Sequence, residues 1–137
     1  MTVRKFFERY RVIMETGVAH AVSVLFAVRL AVVRPDRTSL LSDRGHLVRE
    51  LGKILDTYAW AGMKHVRLAR FEEVGFEESL GMVNVSWEPV DDAGSAILTV
   101  DTTYVLRGGP QLRICSVIPH NEESCRMRMV TAPVQRR

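Results

Sequence analysis

Three apolar runs in the second half of the chain, Val83 to Val90, Ala96 to Arg107 and Leu112 to Ile118, follow one another across short breaks. Asp91-Asp92-Ala93-Gly94 and Gly108-Gly109-Pro110 fill those breaks with residues that favour hairpin turns, so the runs predict an antiparallel meander. The strand before the meander is read over Lys64 to Val74, where Val66 and Leu68 are separated by basic residues, and its successor begins at Phe76. Asp101 stands in the middle run between Val100 and Thr102, where a carboxylate must be solvated, partnered or functional.

The first half reads differently. Val3, Phe6, Phe7, Tyr10, Ile13 and Met14 recur at helical spacing, with Thr2 as N-cap and Gly17 as stop. Val18, Ala21, Val22, Leu25 and Phe26 continue the stripe as a second helix after that corner. The pattern becomes β-branched from Arg29 to Val33, and Pro35-Asp36 supplies turn chemistry, so a short strand pair is expected there. Ser42 or Asp43 caps a third helix with Leu47, Leu51, Ile54, Leu55 and Tyr58 on one face, ended by Gly62. Helices first and strands afterwards predict an α+β fold, with the helices packed on one face of a mostly antiparallel sheet.

At 137 residues, 47% hydrophobic and 26% charged, the chain has the size and composition of one ordered globular domain. The domain is expected over residues 1–120, and residues 121–137, where the apolar alternation fades, form a tail that is loose or lent to a partner. The net charge of +3 owes much to Arg126, Arg128, Arg136 and Arg137 in that tail, so the body carries no concentrated basic face for nucleic acid. The run from Val18 to Val33 is broken by His20, Ser23 and Arg29 and is too short for a membrane span. Cys115 and Cys125 have no close Cys or His companions of zinc-site spacing, so they are read as free thiols in a reducing compartment. With an amphipathic start in place of a leader, the location expected is cytoplasmic, with no metal and no cofactor.

Taken in order, these elements resemble the nuclear transport factor 2-like superfamily, in particular its SnoaL-like bacterial members. The residues that carry the resemblance are Phe6-Phe7-Glu8-Arg9-Tyr10, Gly17, Val24-Leu25-Phe26-Ala27, and the hairpin from Thr103-Tyr104-Val105-Leu106-Arg107 to Arg113-Ile114, with His120 beyond it. The resemblance covers residues 1 to about 120 and implies a cystatin-like cone: a strongly curved sheet wrapped around the helices, with a pocket open at one end. It does not imply one activity, because folds of this kind host unrelated functions.

Ketosteroid isomerase belongs to the same superfamily, and the segment from Glu8 to Pro35 resembles its first helices and first strand. The likeness sets Tyr10 at the place of the oxyanion-hole tyrosine and Asp101 at that of the protonated aspartate. Where that enzyme keeps its general base before a proline, this chain has Arg34 before Pro35, and a guanidinium cannot abstract a proton.

The ligand-binding candidates are therefore Tyr10, Arg34, Asp101, Trp60, Trp87 and His120, lining a mostly apolar pocket for a small apolar organic molecule. Each has a plainer alternative. Tyr10 sits on the apolar stripe of the first helix, where a tyrosine can simply be core with one hydrogen-bond partner. Trp60, Trp87, Tyr58 and Met63 can rim a pocket or fill the core, and His120 can be structural or exposed. Alternation puts Leu98, Val100, Tyr104 and Leu106 on one face and Thr99, Asp101, Thr103 and Arg107 on the other, a second face that is solvated, dimer-facing or lining a cavity. An inward Asp101 and Arg34 would pair and hold a polar ligand. Two functions follow: a SnoaL-like small-molecule binder, homodimeric through its sheet and related to an isomerase or cyclase that has lost its base, or a non-catalytic dimeric interaction module whose cavity is filled by its own side chains.

Overall fold

The computed structural model describes residues 2–131. The elements run α1 (Val3–Glu15), α2 (Ala19–Ser23), β1 (Phe26–Val33), β2 (Thr38–Leu41), α3 (Arg44–Trp60), β3 (His65–Glu77), β4 (Leu80–Val90), β5 (Val100–Arg107), β6 (Arg113–Pro119) and α4 (Glu122–Thr131). Thr2 caps α1 by accepting the Lys5 N–H at 3.1 Å, and Gly17 turns the chain at φ 72°. Phe6, Phe7, Tyr10 and Met14 form the buried face of that helix. Asp43, the second of the two expected caps, takes the His46 N–H at 2.8 Å to start α3, whose Leu47, Leu51 and Leu55 face the core. Ile54 on the same helix is 45% exposed, so the stripe is narrower than its spacing suggests.

The second helix stops at Ser23, because Phe26 is drawn into the sheet beside Ile114 of β6. Sheet pairing overrides helical periodicity there. Arg44 then satisfies the carbonyls this break leaves open, donating to Ser23 and Phe26.

Six strands form one sheet in the order β2-β1-β6-β5-β4-β3, antiparallel throughout except for the parallel β1–β6 pair. The register of β1 against β6 shifts between Phe26 and Ala31, and Arg29 lies in that bulge at φ 70°. A bulge bends its strand and deepens the local twist, which is how a sheet comes to curve round helices. β3 runs on to Glu77 and β4 begins at Leu80, so the turn falls later than the sequence suggested. β5 begins at Val100, four residues after the expected Ala96, which makes only an isolated bridge to Val90. The Asp91 carboxylate holds the chain in a wide turn by accepting from the Ala93 and Ser95 N–H groups, each at 3.0 Å.

Within residues 121–137, expected as a tail that is loose or lent to a partner, the described part folds onto the domain. Glu122–Thr131 is a helix whose Cys125 and Met129 are buried against Ala61 and Leu98. The apolar positions were legible as residues, but their spacing of four within one short segment of charged neighbours gives little periodicity to read. The remainder of that tail lies outside the described residues.

The β3–β4 hairpin places Glu78, the first of its two loop residues, at φ 56°, where a side chain is strained and glycine is favoured. Glu78→Gly is expected to raise stability by about 1 kcal/mol, read as a higher urea midpoint at unchanged slope. An unchanged or lower midpoint removes strain at this turn as a cost in the fold.

Candidate functional site

The interior of the curved sheet is filled with aromatic side chains. Phe7 from α1 packs with its ring centroid 5.0 Å from that of Tyr104, 6.0 Å from Phe71 and 6.3 Å from Trp87. Tyr10, one turn on, stacks against Trp87 at 5.2 Å with the planes 18° apart. Three polar handles enter this apolar volume, and all are used internally: the Trp87 Nε1–H donates to the Tyr104 hydroxyl oxygen at 2.9 Å, and the Tyr10 hydroxyl hydrogen-bonds Tyr104. Burial, reinforced by Tyr104, holds the Tyr10 hydroxyl protonated well above its ordinary range. Burial likewise raises Tyr104 and Tyr58. Among the described residues no buried side-chain nitrogen or oxygen lacks a partner.

Asp101 lies on the other side of the sheet. Successive residues of a strand point to opposite faces, and Trp87 and Val100 are cross-strand partners on the inner face beside Tyr10. Ser86 and Asp101, the next pair along, therefore face outward. The Ser86 hydroxyl donates to the Asp101 carboxylate at 2.6 Å, and the Asn121 amide donates to it at 3.3 Å. Thr103, also outward, donates to Asn84 Oδ1 at 2.5 Å and meets His120 Nε2 at 2.6 Å. With its hydroxyl proton directed to Asn84, Thr103 is left to accept from His120 Nε2. Arg70, Asn84, Ser86, Asp101 and His120 line an open groove of about 290 Å³ on this face.

The six ligand-binding candidates do not converge. Tyr10 and Trp87 are 6% and 3% exposed inside the aromatic cluster, while Asp101 and His120 share the outer groove. Trp60, at the end of α3, is 58% exposed. Arg34 does not pair with Asp101. Its guanidinium takes both carboxylate oxygens of Glu122, at 2.7 and 3.2 Å, and this contact raises the arginine's pKa further. A second, larger groove of about 480 Å³ runs between α1 and the edge strand β3. There Glu15 accepts the Val66 N–H at 2.8 Å and Arg11 donates to the Val66 carbonyl at 3.4 Å, so helix side chains occupy the edge of the sheet.

Several groups of consequence carry no sequence signal of their own. Alternation separates Tyr104 from Asp101 by face, but its role as the common partner of Tyr10 and Trp87 depends on rings brought together from three elements. Asn84, Ser86 and Thr103 are ordinary strand residues until register sets them beside Asp101 and His120. Glu122 is 88 residues from Arg34 in sequence. Among the described residues, no group of three or more His, Cys, Asp or Glu side chains is arranged to hold a metal ion, and no helix is long and apolar enough to cross a membrane.

Comparison with known proteins agrees with this architecture. The family described as NTF2-like protein (DUF6841) matches residues 2–122. No curated protein sequence matches. Among solved structures, the chain is similar to Aln2 from a Streptomyces species, with TM-score 0.67, 11% identity and 91% of each chain covered. It is also similar to an NTF2-like protein with a cystatin-like fold from Novosphingobium aromaticivorans, with TM-score 0.63, 13% identity, and 92% of this chain and 85% of that chain covered. A protein from Catenulispora acidiphila solved in complex with S-DNPA matches with TM-score 0.62 and 17% identity, over 89% of this chain and 93% of that one. At such identities the likeness is one of fold.

The internal hydrogen bonds order the effects of two substitutions. Tyr10→Phe removes one neutral hydrogen bond and is expected to cost about 1 kcal/mol. Tyr104→Phe takes the acceptor from both Trp87 and Tyr10 and is expected to cost about 2 to 4 kcal/mol, since two buried donors lose their partner. Urea unfolding of both variants checks the order, and an equal or reversed cost contradicts the shared-acceptor arrangement.

Proposed function

The chain belongs to the NTF2-like family DUF6841, and we propose that within this fold it serves as a non-catalytic, homodimeric interaction module that uses the outer face of its sheet. The observation that carries this reading is the packing of Phe7, Tyr10, Trp87 and Tyr104 through the interior, with the Trp87 indole N–H and the Tyr10 hydroxyl both spent on Tyr104. A receptor for a small apolar molecule needs a void and an unspent polar group to orient the guest. Tyr10 offers neither. Proton abstraction lacks its agent as well, because Arg34 is a guanidinium bound to Glu122.

The outer face has what a self-association surface requires. Leu80 and Met82 of β4 are exposed, and Val105 of β5 stands opposite Met82, which makes an apolar patch across two strands. Beside it lies the groove with the Arg70 guanidinium at one side and the Asp101 carboxylate at the other. An isologous contact needs a surface complementary to itself, and a patch that carries both signs next to apolar residues meets that condition. These features support a second copy as the partner.

The similar protein from Catenulispora acidiphila solved in complex with S-DNPA keeps the small-molecule reading as the competitor. The two separate in solution. Light scattering at micromolar concentration is expected to report a dimer, and Leu80→Arg with Met82→Arg a folded monomer. A wild-type monomer under those conditions overturns the proposal, and so does a double variant that remains dimeric.

A further inference from the structure

We infer that Arg107 and Arg113, opposite each other at the end of the β5–β6 hairpin, form a binding site for a dianionic phosphate group. The inference does not depend on the dimer, because both arginines belong to one chain. It begins from the strand register. Arg107 and Arg113 are direct cross-strand partners at the last pair before the turn. Leu106 and Ile114, the pair beside them, are fully buried, so alternation turns both arginines to the outer face of the sheet.

Like charges directly opposite on an antiparallel pair destabilise it, and the surroundings here do not cancel them. Among the described residues neither arginine forms an ion pair. Leu80, on the other side of Arg107, is apolar and 54% exposed. Glu77 stands one strand beyond Leu80, about 10 Å from Arg107 at two strand spacings. The Ser79 carbonyl accepts the Gly108 N–H at 2.7 Å and so brings the loop of Glu78 up to this turn, yet Glu78 pairs with neither guanidinium. Arg29 adds to the positive field. It lies in the stretch of β1 that bulges opposite Cys115, two residues from Arg113, and it too forms no ion pair among the described residues.

Arg113 is held ready for an anion. Its Nη1 donates to the Leu112 carbonyl at 3.1 Å and its Nη2 to the Gln111 side-chain oxygen at 2.5 Å. Both acceptors are neutral, so they fix the guanidinium and leave its charge and its remaining N–H donors unspent. Arg34 shows what one such fork requires, since it takes both oxygens of a single carboxylate. Two opposed forks call for a further oxygen and a second negative charge. A phosphate monoester supplies three acceptor oxygens and a charge of about −2 at neutral pH, whereas a carboxylate would leave one arginine uncancelled.

Inorganic phosphate is the probe, in low-salt buffer with chloride at matched ionic strength as the reference. Well above its Kd, phosphate is expected to raise the melting midpoint by about 3 °C beyond chloride. Arg107→Gln and Arg113→Gln are each expected to weaken phosphate binding, read by calorimetry, about tenfold. Arg37→Gln, which removes an arginine already paired with Asp36, is expected to leave it unchanged. Without phosphate, Arg107→Gln is expected to melt above the wild type, because the repulsion has gone and no printed contact of Arg107 goes with it. Phosphatidylcholine vesicles with and without phosphatidic acid distinguish the source of the group. Cosedimentation that needs phosphatidic acid and is lost in both variants assigns a lipid headgroup to the site, and phosphate binding without cosedimentation assigns a soluble ester. Phosphate that acts no more than chloride, undiminished binding by Arg107→Gln or Arg113→Gln, or an equal loss in Arg37→Gln overturns the site. A lower midpoint of Arg107→Gln without phosphate overturns the repulsion on which it rests.

Discussion

The Tyr104 hydroxyl is the contact on which the interior depends. It sits in a volume too apolar to leave a donor unpaired, and it accepts from Trp87 while hydrogen-bonding Tyr10. Because α1 supplies Tyr10, β4 supplies Trp87 and β5 supplies Tyr104, this one oxygen ties the first helix to the middle of the sheet. The rings around it then fix the spacing between helix and sheet, with Phe7 fully buried among its aromatic neighbours. Tyr10 is itself buried among those rings. A single hydrogen-bond acceptor thereby joins three elements of the interior.

Strand alternation carries the next consequence. The resemblance to ketosteroid isomerase set Tyr10 and Asp101 at the places of two groups expected to act together, and the sheet stands between them. The register that sets Trp87 opposite Val100 on the inner face requires Ser86 and Asp101 to point outward together. A shift of one residue would bring Asp101 inside and expel Trp87 and Tyr104, at a cost in apolar burial that no ligand contact would offset. The outward position is then made comfortable by Ser86 and Asn121, which supply the donors that solvent would otherwise provide.

Much of this was legible in the residues. Thr2, Gly17, Asp43 and the two glycine-bearing turns act locally, within a few residues, so their positions could be read directly. Alternation in β5 sorted Tyr104 and Leu106 from Asp101 and Thr103 correctly, because burial on one face leaves its period in the sequence. The second helix was overextended for the opposite reason: whether Phe26 continues a helix or enters a strand is decided by Ile114, which lies far along the chain. The same limit hid the groove on the outer face, which exists only where β3, β4, β5 and His120 meet. Residues whose meaning comes from a distant partner looked ordinary beside those whose partner is a neighbour.

Arg34 shows how such a position is reassigned when its chemistry changes. It stands before Pro35, just past the end of β1, where the related isomerase keeps a carboxylate for proton transfer. A guanidinium there has no proton to exchange, but it has fixed donors and permanent charge, which suit a carboxylate held side-on. Glu122 provides that carboxylate, and the chain beyond it folds back as α4 over Leu98 and Ala61. The position serves attachment, and the fold has at its C-terminal end an apolar surface covered by α4.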